Sequence, residues 1–168
     1  MPDRLTLVFD ADDTLWENNV LFEQAFGSFR AWLAHPTLDE AGIRAVLNDV
    51  ERATVVTHGY GTRSFLHALH MVFERLRDRT ATVEEVAEIQ GFGAAMLRGD
   101  LELVPGVVET LTELGARHDL LMLTKGDVEE QQRKIDASTL SPLFRSTHIV
   151  PDKHADTCTY NSTDIDTD

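Results

Sequence analysis

The chain has 168 residues, 42% of them hydrophobic, and a formal net charge of -14. That length and apolar share suit one ordinary domain, or a compact core with an insertion, and exclude a disordered or fibrous chain. The acidic balance opposes nucleic acid and anionic membranes, and no apolar run approaches the ~20 residues of a membrane-spanning helix. The start, Met1-Pro2-Asp3-Arg4-Leu5, has neither the charged nor the apolar region of a signal peptide, so a soluble cytoplasmic protein is expected. The single cysteine, Cys158, excludes an internal disulfide framework and a cysteine zinc cluster. An anionic substrate would have to meet a local positive focus such as a metal ion, since the overall field repels it.

In chain order, Leu5-Thr6-Leu7-Val8-Phe9 is a short apolar run ending abruptly in Asp10-Ala11-Asp12-Asp13, the pattern of a first parallel strand buried on both faces. A helix follows with Phe22, Phe26, Phe29 and Leu33 on one face, stopped by His35-Pro36. Thr37 with Glu40 reads as a capping box opening a second helix, with Ile43, Val46, Leu47 and Val50 inward. After the Gly59-Tyr60-Gly61 turn, a third helix carries Phe65, Leu69, Val72 and Leu76. A second capping box, Thr82 with Glu85, opens a fourth helix with Val86, Ile89 and Met96 inward. The stretch from Trp16 to about Arg98 thus reads as a four-helix bundle without strands.

Beyond Pro105-Gly106 the pattern changes. A helix with Val107, Val108, Leu111 and Leu114 leads to Gly115, and Leu120-Leu121-Met122-Leu123 forms a second apolar strand ending at Thr124. Asp127 and Glu130 cap a further helix to about Ala137, Ser141-Pro142 turns, and a brief strand from Thr147 to Val150 leads to Pro151-Asp152-Lys153. Alternating strands and helices predict an α/β fold, a Rossmann-like parallel three-layer sheet with an inserted helical bundle. The expected division is a core of residues 1–15 and 100–153, a helical insertion of residues 16–99, and an irregular acidic tail over residues 154–168.

In an open parallel sheet, ligands bind outside the carboxyl ends of the strands. Three predicted strands bring polar residues there: Asp10, Asp12 and Thr14 after the first, Thr124-Lys125-Gly126 after the second, and Lys153 after the third. Carboxylates crowded at one strand end repel, by ~4 kcal/mol for unit charges ~4 Å apart at an effective dielectric of 20. A hard cation such as Mg²⁺ relieves that repulsion. Singly, each residue also has an ordinary structural use: Asp12 or Asp13 as a helix cap, Thr124 as a strand end, Lys125 or Lys153 as a solvated charge.

Together and in this order, the residues resemble the haloacid dehalogenase-like hydrolases. The first motif of that family, Asp-x-Asp-x-Thr at the end of the first strand, stands here as Asp10-Ala11-Asp12-Asp13-Thr14. Its second, a Thr or Ser ending an apolar strand, matches Thr124, its third, a lone Lys, matches Lys153, and the helical insertion matches its cap domain. The resemblance runs from about Leu5 to Thr157. It implies a phosphatase acting on a small phosphorylated metabolite with Mg²⁺. Asp10 would be the nucleophile and a metal ligand, and Asp12 the general acid and base and a second metal ligand. Thr14, Thr124, Lys125 and Lys153 would serve substrate binding or site positioning. An acid at position 12 favours phosphate-ester hydrolysis over dehalogenation, because an alkoxide leaving group needs a proton.

By the same resemblance a fourth, acidic motif should follow a further strand, and the sequence stops before one. Asn161-Ser162-Thr163-Asp164-Ile165-Asp166 is similar to one form of that loop but lacks the helix and strand that should precede it. A core without its last strands is therefore expected, with a metal ligand missing and the first strand as an open edge. Two rival readings are a non-catalytic binding protein on the same fold and a receiver-like phosphoacceptor domain. The latter should carry its acceptor Asp at the end of a middle strand and no helical insertion of this size.

Overall fold

The computed structural model describes residues 4–99 and 101–150. Its elements are β1 (Thr6–Phe9), β2 (Trp16–Glu17), α1 (Asn19–Leu33), α2 (Glu40–His58), α3 (Thr62–Arg77), α4 (Val83–Phe92), α5 (Ala94–Arg98), β3 (Glu102–Leu103), α6 (Val107–Gly115), β4 (Asp119–Lys125), α7 (Val128–Ser138) and β5 (Ser146–Val150). The parallel sheet has the order β1-β4-β5, with Leu7 opposite Leu120, Phe9 opposite Met122 and Thr124 opposite Ile149. This is the expected α/β fold with a parallel sheet and a helical insertion.

Apolar burial divides between two clusters. Phe26, Phe29, Leu33, Leu69, Phe73 and Ile89 belong to the helical part, with Trp32 stacked on Phe73 at 5.2 Å. Leu15, Trp16, Leu111, Leu120, Met122, Ile135 and Phe144 form the second, around the sheet. The first strand is not buried on both faces as its apolar run suggests: Val8 is 58% and Leu5 55% exposed. β1 pairs only with β4 among the described residues, so one edge and part of one face of it lack cover.

The helix starts differ in one place from the expected caps. Asp39, not Thr37, caps α2, accepting a hydrogen bond from the Gly42 N–H at 2.9 Å. Its backbone is extended, and Asp is as good a cap as Thr, so the nearer side chain takes the role. The Thr82–Glu85 capping box is present in both directions. Arg79 adds a two-pronged ion pair to Glu85 at 2.7 and 2.6 Å, and this, with the Thr82 N–H, pulls the Glu85 carboxyl from 4.5 to about 2. A depressed carboxylate contributes stability above its unfolded pKa that is lost as pH falls through the folded one. Acid unfolding of the wild type between pH 4.5 and about 2 should therefore include a component that is absent from Glu85→Gln, read by circular dichroism.

Two further features escape the expected four-helix pattern. The fourth helix ends at Phe92, and Met96 sits on the separate short α5, after a break at Gly93. A Cβ at Gly93 would lie 2.6 Å from Leu66 Cδ1, so the break is also where two helices approach too closely for a side chain. The second feature is a two-stranded antiparallel ribbon, β2 with β3, at the place where the chain enters and leaves the helical part. Trp16 faces Leu103 in it and Glu17 faces Glu102, and the Val104 N–H extends it by donating to the Leu15 carbonyl at 3.0 Å.

Candidate active site

Residues Asp10 to Asn18 form a tight loop at the carboxyl end of β1. The N–H groups of Thr14 and Leu15 donate to the Ala11 carbonyl at 3.2 and 2.8 Å, and the Asp13 N–H donates to the Trp16 carbonyl at 2.8 Å. Asp13 takes a left-handed backbone, φ 57°, which Asp tolerates better than most residues. Its Oδ1 accepts from the Asn18 and Asn19 N–H groups at 2.9 and 2.8 Å, so Asp13 is the acid that serves the start of α1. Asp10 is exposed, and its Oδ1 accepts from the Ala11 N–H at 2.8 Å. Thr14 is also exposed.

Asp12 points the other way, toward α7. Its Oδ1 accepts from Trp16 Nε1 at 2.7 Å and from Lys134 Nζ at 3.1 Å, and its Oδ2 from Gln131 Nε2 at 2.9 Å and Lys134 Nζ at 3.3 Å. Gln131 in turn accepts from the hydroxyl of Thr124 at 3.1 Å. Thr124 is 1% exposed, so its hydroxyl is committed inward to Gln131 rather than presented to solvent. Asp127 caps α7 by accepting from the Glu130 N–H at 2.9 Å, which sets Glu130, Gln131 and Lys134 on the buried face of that helix.

Between the carboxyl edge of the sheet and the helical part lies a half-open cavity of about 470 Å³. Asp12, Asn18, Lys125, Glu130, Gln131 and Lys134 line it from one side, and Phe22, Glu51, Tyr60, Ser64 and Phe65 from the other. Lys125 Nζ lies 4.0 Å from the centre of the Tyr60 ring, a cation–π contact between two residues that line the cavity. Burial pushes the Glu51 carboxyl up, with the Arg44 guanidinium partly opposing it. From the helical part Tyr60 and Phe65 reach the cavity, while Arg63 pairs with Glu129 at 3.5 Å and is not among its lining residues.

Of the residues expected from the sequence, Asp12 and Lys125 line the cavity, Thr124 reaches Asp12 only through Gln131, and Asp10 and Thr14 lie on the Asp12 loop but not among the lining residues. Lys153 lies outside the described residues, as does the Asn161 to Asp166 stretch. Gln131 and Lys134, which hold Asp12, are not among the residues expected from the sequence. Among the described residues, no three His, Cys, Asp or Glu side chains gather as metal donors. Both carboxylate oxygens of Asp12 already accept from protein donors, and Mg²⁺ asks for near-octahedral oxygen coordination. The described residues alone do not make the Mg²⁺ site that the resemblance implies.

A family model for haloacid dehalogenase-like hydrolases matches residues 5–157. Among solved structures, a haloacid dehalogenase-like family hydrolase from Xanthomonas campestris is 28% identical, with a TM-score of 0.82 over 92% of this chain and 64% of that one. A protein of Bacillus subtilis designated a HAD hydrolase and bound to magnesium is 17% identical, with a TM-score of 0.55 over 87% of this chain and 63% of that one. The L-2-haloacid dehalogenase of Xanthobacter autotrophicus is 19% identical, with a TM-score of 0.51 over 88% and 57%. The chain thus spans less than two thirds of the length of each of these structures. The last two likenesses show the fold alone. No curated protein matches the chain.

Proposed function

We propose that this chain, which belongs to the haloacid dehalogenase-like hydrolases, hydrolyses a small phosphate monoester through an aspartyl-phosphate on Asp10. The single observation that carries this reading is the placing of Asp12 on the wall of a half-open cavity, two residues from an exposed Asp10 at the end of β1. In the forward half, an oxygen of Asp10 attacks phosphorus, the ester P–O bond breaks, and the leaving alkoxide takes a proton from Asp12. In the second half, Asp12 takes a proton from water, whose oxygen attacks the same phosphorus, releasing phosphate and restoring Asp10.

Dehalogenation needs no proton on its leaving group, so the acid at position 12 weighs toward the ester. Lys125, on the cavity wall with its ammonium over the Tyr60 ring, supplies positive charge for an anionic substrate. Residues 16–99 act in this reading as the cap, offering Tyr60, Ser64 and Phe65 to the alcohol part of the substrate. Mg²⁺ belongs to the proposal as counter-charge for the phosphate, and Asp10 is the residue among those described that would hold it. The middle strand β4 ends in Thr124-Lys125 and carries no acid there, which weighs against a receiver-like phosphoacceptor.

Rapid acid quench during turnover of 4-nitrophenyl phosphate with Mg²⁺, followed by intact-mass measurement, tests the intermediate. A phosphoryl adduct that forms and decays in the wild type and is absent from Asp10→Asn is expected. The reading is lost if turnover proceeds without an adduct, or if the adduct forms equally in Asp10→Asn. An adduct that persists without turnover would point to phosphoacceptor behaviour instead.

A further inference from the structure

We infer that Lys134 is a positioning residue: its buried ammonium fixes the carboxylate of Asp12 on the cavity wall and links it to the helical part through Glu130. The inference rests on the reading of Asp12 as the acid and base of the proposed reaction. Lys134 is 8% exposed, an uncommon burial for a lysine unless it is paired. Its Nζ reaches both oxygens of Asp12, at 3.1 and 3.3 Å, and Asn18 Oδ1 at 2.8 Å. Glu130 Oε1 lies 3.3 Å from the same nitrogen, a charge contact without an aligned hydrogen bond.

The other oxygen of Glu130 leaves the sheet side altogether. Oε2 accepts from the Thr62 N–H at 2.8 Å, at the start of α3, a helix whose own N-cap residue is Gly61 and has no side chain to offer. A Cβ at Gly61 would lie 2.9 Å from that oxygen, so the backbone and the carboxylate are packed against each other. Lys134 therefore joins two carboxylates with different duties: Asp12, which faces the cavity, and Glu130, which satisfies the first turn of α3. Trp16 and Gln131 complete the hold on Asp12 from the remaining directions. Burying one ammonium between two carboxylates is costly in desolvation and weak as a stabilising device. Its return is a single orientation for Asp12.

Trp16 provides a reporter inside the same network, because its indole N–H donates to Asp12. The chain has two tryptophans, so the indole region of a ¹H–¹⁵N spectrum carries two signals, assigned with Trp32→Phe. In Lys134→Met the Trp16 indole signal should move while that of Trp32, which packs on Phe73 in the helical cluster, stays. With 4-nitrophenyl phosphate, kcat should fall on the order of 10²-fold and KM stay within about twofold, as for a misplaced group that acts only in the transition state. An unmoved Trp16 signal, or an unchanged kcat in a chain whose turnover Asp10→Asn abolishes, overturns the inference.

Failure of the underlying reading looks different: wild-type chain with no turnover, or turnover that survives Asp10→Asn, sinks the aspartyl-phosphate proposal. The indole signal alone then decides whether Lys134 fixes Asp12. If Lys134→Met does not fold because Glu130 is left as an unpaired buried charge, the double variant Glu130→Gln/Lys134→Met is compared with Glu130→Gln by the same two readouts.

Discussion

Asp10→Asn is expected to lower phosphatase turnover by on the order of 10⁴-fold or more while the chain stays folded, its melting temperature moving by no more than about a few degrees as for an exposed, isosteric change. The amide is a poor nucleophile toward phosphorus, and no neighbouring carboxylate can take over, because Asp12 is held toward α7 and Asp13 is spent on the Asn18 and Asn19 N–H groups. The fold has little reason to respond. Asp10 is exposed, an amide oxygen can accept the Ala11 N–H bond as well as a carboxylate does, and Asn keeps the size of the side chain. Phosphate release and a thermal melt on the same preparation check both halves. Retained turnover would move the chemistry away from β1.

Phe29→Ala is expected to be the most damaging of the simple core truncations, at about 3–5 kcal/mol. Phe29 is 0% exposed and lies 6.3 Å, ring to ring, from both Trp32 and Phe92, so it joins α1 to α4 across the helical cluster. Where rigid aromatic rings line the void, collapse into it is limited, which places the cost toward the upper part of the range. For a chain of this size the melting temperature should drop by roughly 6–20 °C. Because the two apolar clusters are separate, the loss should concentrate in the helical part. Tryptophan fluorescence from Trp32 should report it before Trp16 responds. A change below about 1 kcal/mol would mean that the helical cluster is less tightly packed than its burial implies.

The strand–helix alternation after Pro105 and the acids at the end of β1 are legible because each is a local pattern with a long-range meaning. A strand fully committed to a sheet leaves its polar residues only at its end, and Asp10 and Thr124 both sit there. The Thr82–Glu85 box is legible for the same reason, being closed within four residues. The ribbon of β2 and β3 is not, since two-residue strands have no periodicity and their partners are more than eighty residues apart. Nor is the exposure of Val8. An apolar residue in a strand reads the same whether or not a neighbour covers it.

Gln131 and Lys134 needed a different kind of reading. α7, with the sequence VEEQQRKIDAS, has few apolar residues for a helix lying between two parallel strands. Such a helix must bury one face, so some of its polar side chains had to go inside. Ile135 alone could not fill the face, and Glu130, Gln131 and Lys134 are what is buried beside it. The signal is thus a deficit of apolar residues where the fold demands them, which points to a buried polar network before any partner is known.

The paired crossing at Trp16–Glu17 and Glu102–Leu103 has a mechanical side as well. Two strands joined by backbone bonds cannot slide or twist past one another as two independent tethers would. A rigid-body displacement of the helical part would therefore have to pivot at this one paired crossing, like a door on a plate rather than a bead on two threads. Trp16 belongs to that crossing and its indole N–H donates to Asp12, so the same side chain serves the crossing and the carboxylate.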